Sequence, residues 1–283
     1  MLAVKEFPYR TLSLHNRRPL QLIEINPDAA KTICLVHGLG SNGSSWQLQF
    51  EILSSLGYRV LAPDVPGFGG SKFRGGRWSI RKAAADLAEM LDRLSVQRLD
   101  LAGISMGGTI GLQFELDFPG KVRSLVLADT FASLRQAHRD EWFYFIRRGV
   151  LTLARGAPEQ AELVAERIFP GPEKAELRRL LVEEIRAADP RVYRQALFSL
   201  GAFNVQNRLK AVRARTLVVT GMDDTTVPVK NQVALAMGIA GARHVMIANA
   251  GHAVIIDQPD AFNRELAAFL AGEPAQDGNL PPG

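Results

Sequence analysis

The sequence holds one cysteine, Cys34, and a single thiol excludes an internal disulfide. It lies in the apolar run Ile33-Cys34-Leu35-Val36, so a buried, inert thiol is expected there, not a nucleophile. No apolar run is long enough to span a bilayer, which excludes a membrane helix. The opening residues Met1-Leu2-Ala3-Val4-Lys5-Glu6 meet charge too early for a signal peptide, so a soluble, cytoplasmic protein with no membrane partner is expected. Histidine is sparse and scattered, at His15, His37, His138, His244 and His252, and no pair has metal-ligand spacing; no metal is expected. Charge of one sign does not cluster either. The net charge is +5, but Lys and Arg alternate with Asp and Glu, and Arg147-Arg148 and Arg178-Arg179 read as solvated helix faces, which argues against a nucleic-acid partner. No internal repeat is present.

Apolar residues make up 47% of the 283 positions, enough to bury a large core without staples. The first 26 residues read as two strands around a turn at Asn16-Arg17-Arg18. Short apolar runs then recur at Thr32 to Val36, Tyr58 to Ala62, Leu99 to Ala102, Ser124 to Ala128, Thr216 to Thr220 and His244 to Ala248, the pattern of parallel strands buried on both faces. Between them the spacing turns helical, as in Ile80, Ala84, Leu87, Leu91 and Leu94 behind the candidate cap Ser79. This alternation predicts an α/β fold with a mostly parallel sheet. Residues 131–206 interrupt it with an aromatic-rich, mostly helical stretch in which Pro158, Pro170, Pro172 and Pro190 are expected to break helices. The expected organisation is therefore a core of 1–130 and 207–271, a helical cap of 131–206, and a disordered Gly- and Pro-rich tail of 272–283.

The run Leu99-Asp100-Leu101-Ala102 leads into Gly103-Ile104-Ser105-Met106-Gly107-Gly108 and then a helical pattern through Ile110, Leu112, Phe114 and Leu116. G-x-S-x-G at a strand-to-helix turn lifts a serine hydroxyl above the sheet edge, with glycines where a side chain would strike a neighbouring element. Ser105 is thus the candidate nucleophile. A serine hydroxyl needs a base, and His252 follows the last expected strand at the same sheet edge. The base in turn needs an acid, and Asp129, Asp223 and Asp224 all lie just past strands from which they could reach it.

These residues resemble the α/β-hydrolase family, in its capped branch, over nearly the whole chain; Asn249-Ala250-Gly251-His252, His37-Gly38-Leu39-Gly40, Asp64 to Ser71 and Gly221 to Pro228 extend the likeness. Gly103 to Gly108 together with Leu127-Ala128-Asp129-Thr130 is most similar to bacterial carboxylesterases and 3-oxoadipate enol-lactonases. The resemblance implies an antiparallel N-terminal hairpin on the sheet, a cap inserted after strand six, and the acid at Asp224. It implies backbone donors to the oxyanion at Leu39 and Met106. It implies a serine esterase that works on a small-molecule ester without any cofactor, through an acyl-enzyme. Enol-lactone or carbon–carbon bond hydrolysis are the rival activities. Phe131 and Trp142 are expected among the aromatics that roof the substrate, and a lactonase for a dianion would also need a cap arginine such as Arg135, Arg139, Arg147 or Arg148.

A competing signal is the literal G-x-G-x-x-G of Gly38, Gly40 and Gly43, with Asp64 about 20 residues further on, the spacing of a dinucleotide fingerprint. Ser44 or Ser45 reads as the helix cap before Trp46, which leaves Gly43 ahead of the helix, and Asp64 enters a Pro-Gly turn. An NAD-dependent oxidoreductase explains neither Ser105 nor His252. A ligand receptor that keeps the same residues without turnover is the remaining alternative of another class.

Overall fold

The computed structural model describes residues 7–15, 18–74, 76–134 and 157–272. One eight-stranded sheet organises the chain, in the order β1-β2-β4-β3-β5-β6-β7-β8. The antiparallel edge is β1 (Tyr9–Leu14) and β2 (Arg18–Ile25), which pairs with β4 (Tyr58–Pro63). From β4 onward all pairings are parallel, through β3 (Lys31–Val36), β5 (Leu99–Ile104), β6 (Val122–Ala128), β7 (Arg215–Gly221) and β8 (Arg243–Ile247).

Alternation along the central strands divides their apolar residues between two cores. Cys34, Val36, Leu101, Leu125 and Val218 face one layer, with α2 (Ile80–Arg93) and α3 (Met106–Asp117). Ile33, Leu35, Ala102, Val126 and Val219 face the other, with α1 (Gln47–Ser55) and Trp46, Phe50, Phe262 and Leu266. Cys34 is fully buried, and burial pushes its thiol pKa up, as an inert core residue requires. Ser79 caps α2 as its position predicts, its side chain accepting the Lys82 N–H.

Between β6 and β7 the described residues form α4 (Ala157–Ile168), α5 (Ala175–Ala187) and α6 (Pro190–Ala202). This insertion leaves and returns at one point, where Ser133 bridges Asn204 and the Val205 N–H donates to Ala132 O at 3.0 Å. Pro190 marks a helix boundary as its type predicts: α5 ends at Ala187, and Pro190 is the first residue of α6, where the missing N–H has no intrahelical acceptor. Asp189 completes that start by accepting the N–H groups of Arg191 and Val192. What precedes Ala157, and so the role of Pro158, lies outside the described residues.

The expected cap before Trp46 is also corrected. Asn42, not Ser44 or Ser45, caps the turn, its side chain accepting the Ser44 N–H, and Gly43 is the first residue of the 3-10 turn Gly43–Trp46 that precedes α1. Three further helices complete the chain: α7 (Val229–Gly238), α8 (Val254–Asp257) and α9 (Pro259–Ala271). No helix among the described residues is long and apolar enough to cross a membrane. The tail expected to be disordered lies, beyond Gly272, outside the described residues.

Candidate active site

The turn from β5 to α3 is made by one residue. Ser105 sits at φ 53° and ψ −115°, a conformation that side-chain-bearing residues rarely adopt. Its neighbours hold it there: its N–H donates to Ala128 O at 2.9 Å, and its carbonyl accepts the Thr130 hydroxyl at 2.7 Å. The flanking glycines are a steric demand. A Cβ on Gly103 would lie 2.3 Å from Gly107 O, and one on Gly107 only 2.0 Å from Val36 O.

The loop after β3 closes over this serine, and a Cβ on Gly38 would sit 3.7 Å from Ser105 Cβ. His37 fastens the loop. Its Nε2 accepts the Val65 N–H at 2.9 Å, which leaves Nδ1–H to donate to Gly38 O at 2.7 Å. Burial lowers its pKa to about 4, so the ring is neutral in this role. Leu39 lines the cleft beside Ser105, and Met106 opens α3, where first-turn N–H groups have no intrahelical acceptor.

His252 and Asp224 come from the loops after β8 and β7. His252 Nε2 lies 2.9 Å from Ser105 Oγ, and its Nδ1 lies 2.9 Å from Asp224 Oδ2. Asp224 is buried and heavily solvated by donors: Oδ1 accepts the N–H groups of Thr226 and Val227, and Oδ2 also accepts Gln232 Nε2 at 2.8 Å. Of the rival carboxylates, Asp223 is exposed. Asp129 is buried but turned to the backbone, with Oδ1 on the Gly221 N–H and Oδ2 on the Val254 N–H, each at 2.9 Å. Burial, and then the Asp224 charge, hold Asp129 well above the usual carboxylate range. Through these two bonds it ties the acid loop to the histidine loop.

Above Ser105 a cleft of about 190 Å³ opens between the sheet edge and the β6–β7 insertion. Its walls are mostly apolar, with Phe131, Leu134, Val164, Phe169, Leu197 and Val227 among them. Phe131 thus lines the cleft, while Trp142 and the four candidate cap arginines lie outside the described residues. Of the other insertion aromatics, Phe203 packs edge-on against Phe131, and Phe198 is 47% exposed on the surface.

The dinucleotide fingerprint does not form. Asp64 is buried and turned to the backbone, accepting the Gly43 N–H at 2.9 Å and the Gly70 N–H at 2.8 Å, so it does not project free to meet a ribose. Among the described residues no group of three His, Cys, Asp or Glu side chains is placed to hold a metal ion.

Sequence reasoning missed Gln232, which supports the acid from α7 and carries no pattern that marks it. It also missed Glu184, which lines the cleft from α5. That residue did leave a signal, since Leu177, Leu181 and Glu184 share one face at i, i+4 and i+7, and a carboxylate on an apolar stripe is a misfit.

A putative carbamate hydrolase, RutD, from Variovorax paradoxus is 32% identical over 261 residues, which cover 89% of this chain and 96% of that protein. A 2-hydroxy-6-oxo-2,4-heptadienoate hydrolase from Pseudomonas putida is 28% identical over 254 residues, 87% of this chain and 91% of its own. The solved enol-lactonase from Burkholderia xenovorans superposes with a TM-score of 0.84 at 24% identity, over 93% of this chain and 100% of that one, a likeness of fold. The family model described as alpha/beta hydrolase fold matches residues 31–259. With that match and the sheet order described above, this chain belongs to the α/β-hydrolase family and is a hydrolase.

Proposed function

We propose that the protein is a serine carboxylesterase that cleaves esters of small to medium apolar acyl groups through an acyl-enzyme. The observation that carries this reading is the unbroken relay from Ser105 Oγ through His252 to Asp224, with 2.9 Å at each step, beneath a mostly apolar cleft. Asp224 accepts Nδ1–H and so leaves Nε2 as the lone-pair nitrogen that takes the serine proton. Ser105 Oγ attacks the ester carbonyl, and the backbone N–H groups of Leu39 and Met106 meet the developing oxyanion. His252 then protonates the departing alcohol. Water deprotonated by the same imidazole attacks the acyl-enzyme and frees Ser105. No step calls for a cofactor or metal. Residues 131–206 act as the cap that sets acyl-chain preference, and a cytoplasmic location agrees with the lone buried thiol.

Carbamate hydrolysis is a second reading, favoured by the identity to the RutD relative; it uses the same attack on a carbonyl and differs in the leaving group. A panel of p-nitrophenyl esters graded by acyl length, run beside an aryl carbamate, an enol-lactone and a vinylogous diketone, separates these activities. Turnover greatest on short and medium acyl esters is the expected result. Ser105→Ala should lose on the order of 10⁶ in kcat while remaining folded. Covalent labelling by a fluorophosphonate at any residue other than Ser105 would overturn the assignment.

A further inference from the structure

Among the described residues, the cleft above Ser105 has one ionisable wall residue that the proposed chemistry does not use. Glu184 reaches it from α5, on the same helix face as Leu177 and Leu181. Its Oε1 accepts Asn42 Nδ2 at 2.9 Å, and the Ser41 hydroxyl also bonds to it. Ser41, Ser44, Ser45 and Gln47 line the cleft too, so its lining is partly polar. No Lys or Arg lines it among the described residues. A second carboxylate, Asp64, acts on Glu184 through its charge.

We propose that Glu184 is a substrate-selecting residue, making the cleft accept esters that carry a neutral hydrogen-bond donor such as a hydroxyl and reject those that carry a carboxylate. The inference rests on the ester-hydrolase reading above and deepens it by naming the substrate class. The reasoning is electrostatic. A carboxylate that already faces two donors accepts a third readily, since its two oxygens offer about four lone-pair sites. A substrate carboxylate brought beside it meets like charge in a wall with no described cation, and such a juxtaposition of like charges disfavours the anionic partner. Burial, with Asp64 nearby, pushes Glu184 up to about 7, while the Ser41 and Asn42 bonds work against that rise. At pH 8.5 it is therefore ionised.

The test compares kcat/KM at pH 8.5 for p-nitrophenyl hexanoate, p-nitrophenyl 6-hydroxyhexanoate and the p-nitrophenyl monoester of adipic acid. A parallel arm puts the carboxylate on the alcohol limb, as the hexanoyl ester of 4-hydroxybenzoate set against its phenyl counterpart. In at least one limb the anionic ester should be disfavoured by about 30-fold or more, the equivalent of roughly 2 kcal/mol. Glu184→Gln should relieve most of that ratio, and Glu184→Leu should relieve it while abolishing any preference for the hydroxyl ester. The ratios are read, not the absolute rates, so a general loss in a variant does not blur the result.

Equal treatment of neutral and anionic esters by the unaltered protein overturns the proposal. So does preference for the anion, or a penalty that Glu184→Gln leaves in place. Failure of the underlying reading looks different: no ester is turned over and Ser105 resists a fluorophosphonate. If Ser105 is labelled without ester turnover, the esterase reading falls, and inactivation rates by neutral and carboxylate-bearing phosphonates decide the selectivity.

Discussion

Single atoms decide which carboxylate serves the imidazole. Asp224 Oδ2 bonds His252 Nδ1, whereas both Asp129 oxygens are committed to backbone N–H groups. Asp224→Asn should therefore lose roughly 10⁴ in kcat, because the amide favours the wrong tautomer. Asp129→Asn should stay within about tenfold in kcat but lose about 1–3 kcal/mol of stability, since an amide cannot accept both N–H groups. Steady-state kinetics beside a denaturant titration check both, and a crippled Asp129→Asn with an active Asp224→Asn would exchange the roles. His37 supports a prediction of another kind. Its folded pKa of about 4 lies below the ordinary 6.5, so the stability it contributes is complete above pH 6.5 and is lost as pH falls from there to 4. The loss amounts to about 3 kcal/mol. Asp64, raised to about 6 by burial, titrates in the opposite sense. His37→Gln should therefore remove the acid-side decline relative to the unaltered protein, when denaturation midpoints are compared between pH 7.5 and pH 4.5. Sequence pattern identified Ser105 and His252 because each follows a strand at a fixed offset. It left three acids in contention, because the direction of a loop side chain depends on which backbone N–H groups its own loop offers.

At the level of the element, the β5–α3 elbow tolerates no Cβ at Gly107, where it would strike the carbonyl of Val36 and also approach His37 O at 2.8 Å. Both obstacles are backbone and cannot swing aside. Gly107→Ala is expected to cost about 3 kcal/mol or more and to distort the loop that carries Leu39. Gly201 is the contrast: in α6, with nothing within 4 Å of an added Cβ, Gly201→Ala should raise stability by about 0.5 kcal/mol. Thermal unfolding of the two variants reads both outcomes, and equal effects would show that the helix-propensity and collision arguments are misapplied. The strands and α2 were legible from period and capping alone. The start of α1 was not, because Asn42, Ser44 and Ser45 all qualify as caps by type, and the choice follows from Asp64 taking the Gly43 N–H across the sheet. The break between α5 and α6 was legible at Pro190, since proline is a breaker inside a helix and a starter at its first turn.

Across the molecule, the antiparallel edge is fastened to the helical layer by a buried ion pair. Arg18 donates to both oxygens of Asp86, at 2.7 and 3.0 Å, although the sequence places Arg18 in a turn. A local pattern cannot show a partner 68 residues away. Asp86→Ala leaves the buried guanidinium only Glu89, 3.7 Å away, and the His15 carbonyl, and should cost up to about 3–5 kcal/mol, a loss that Arg18→Leu with Asp86→Leu together should largely recover. Urea midpoints of the single and double variants test this. The order of the strands carries a consequence for biosynthesis. Ser105 and His252 are 147 residues apart, and the histidine follows β8, at the far edge of the sheet. A nascent chain therefore exposes its serine elbow long before the base that arms it is made. A product that stops ahead of His252 carries Ser105 without its base, so an electrophilic probe of that serine should pass over chains truncated before the loop after β8.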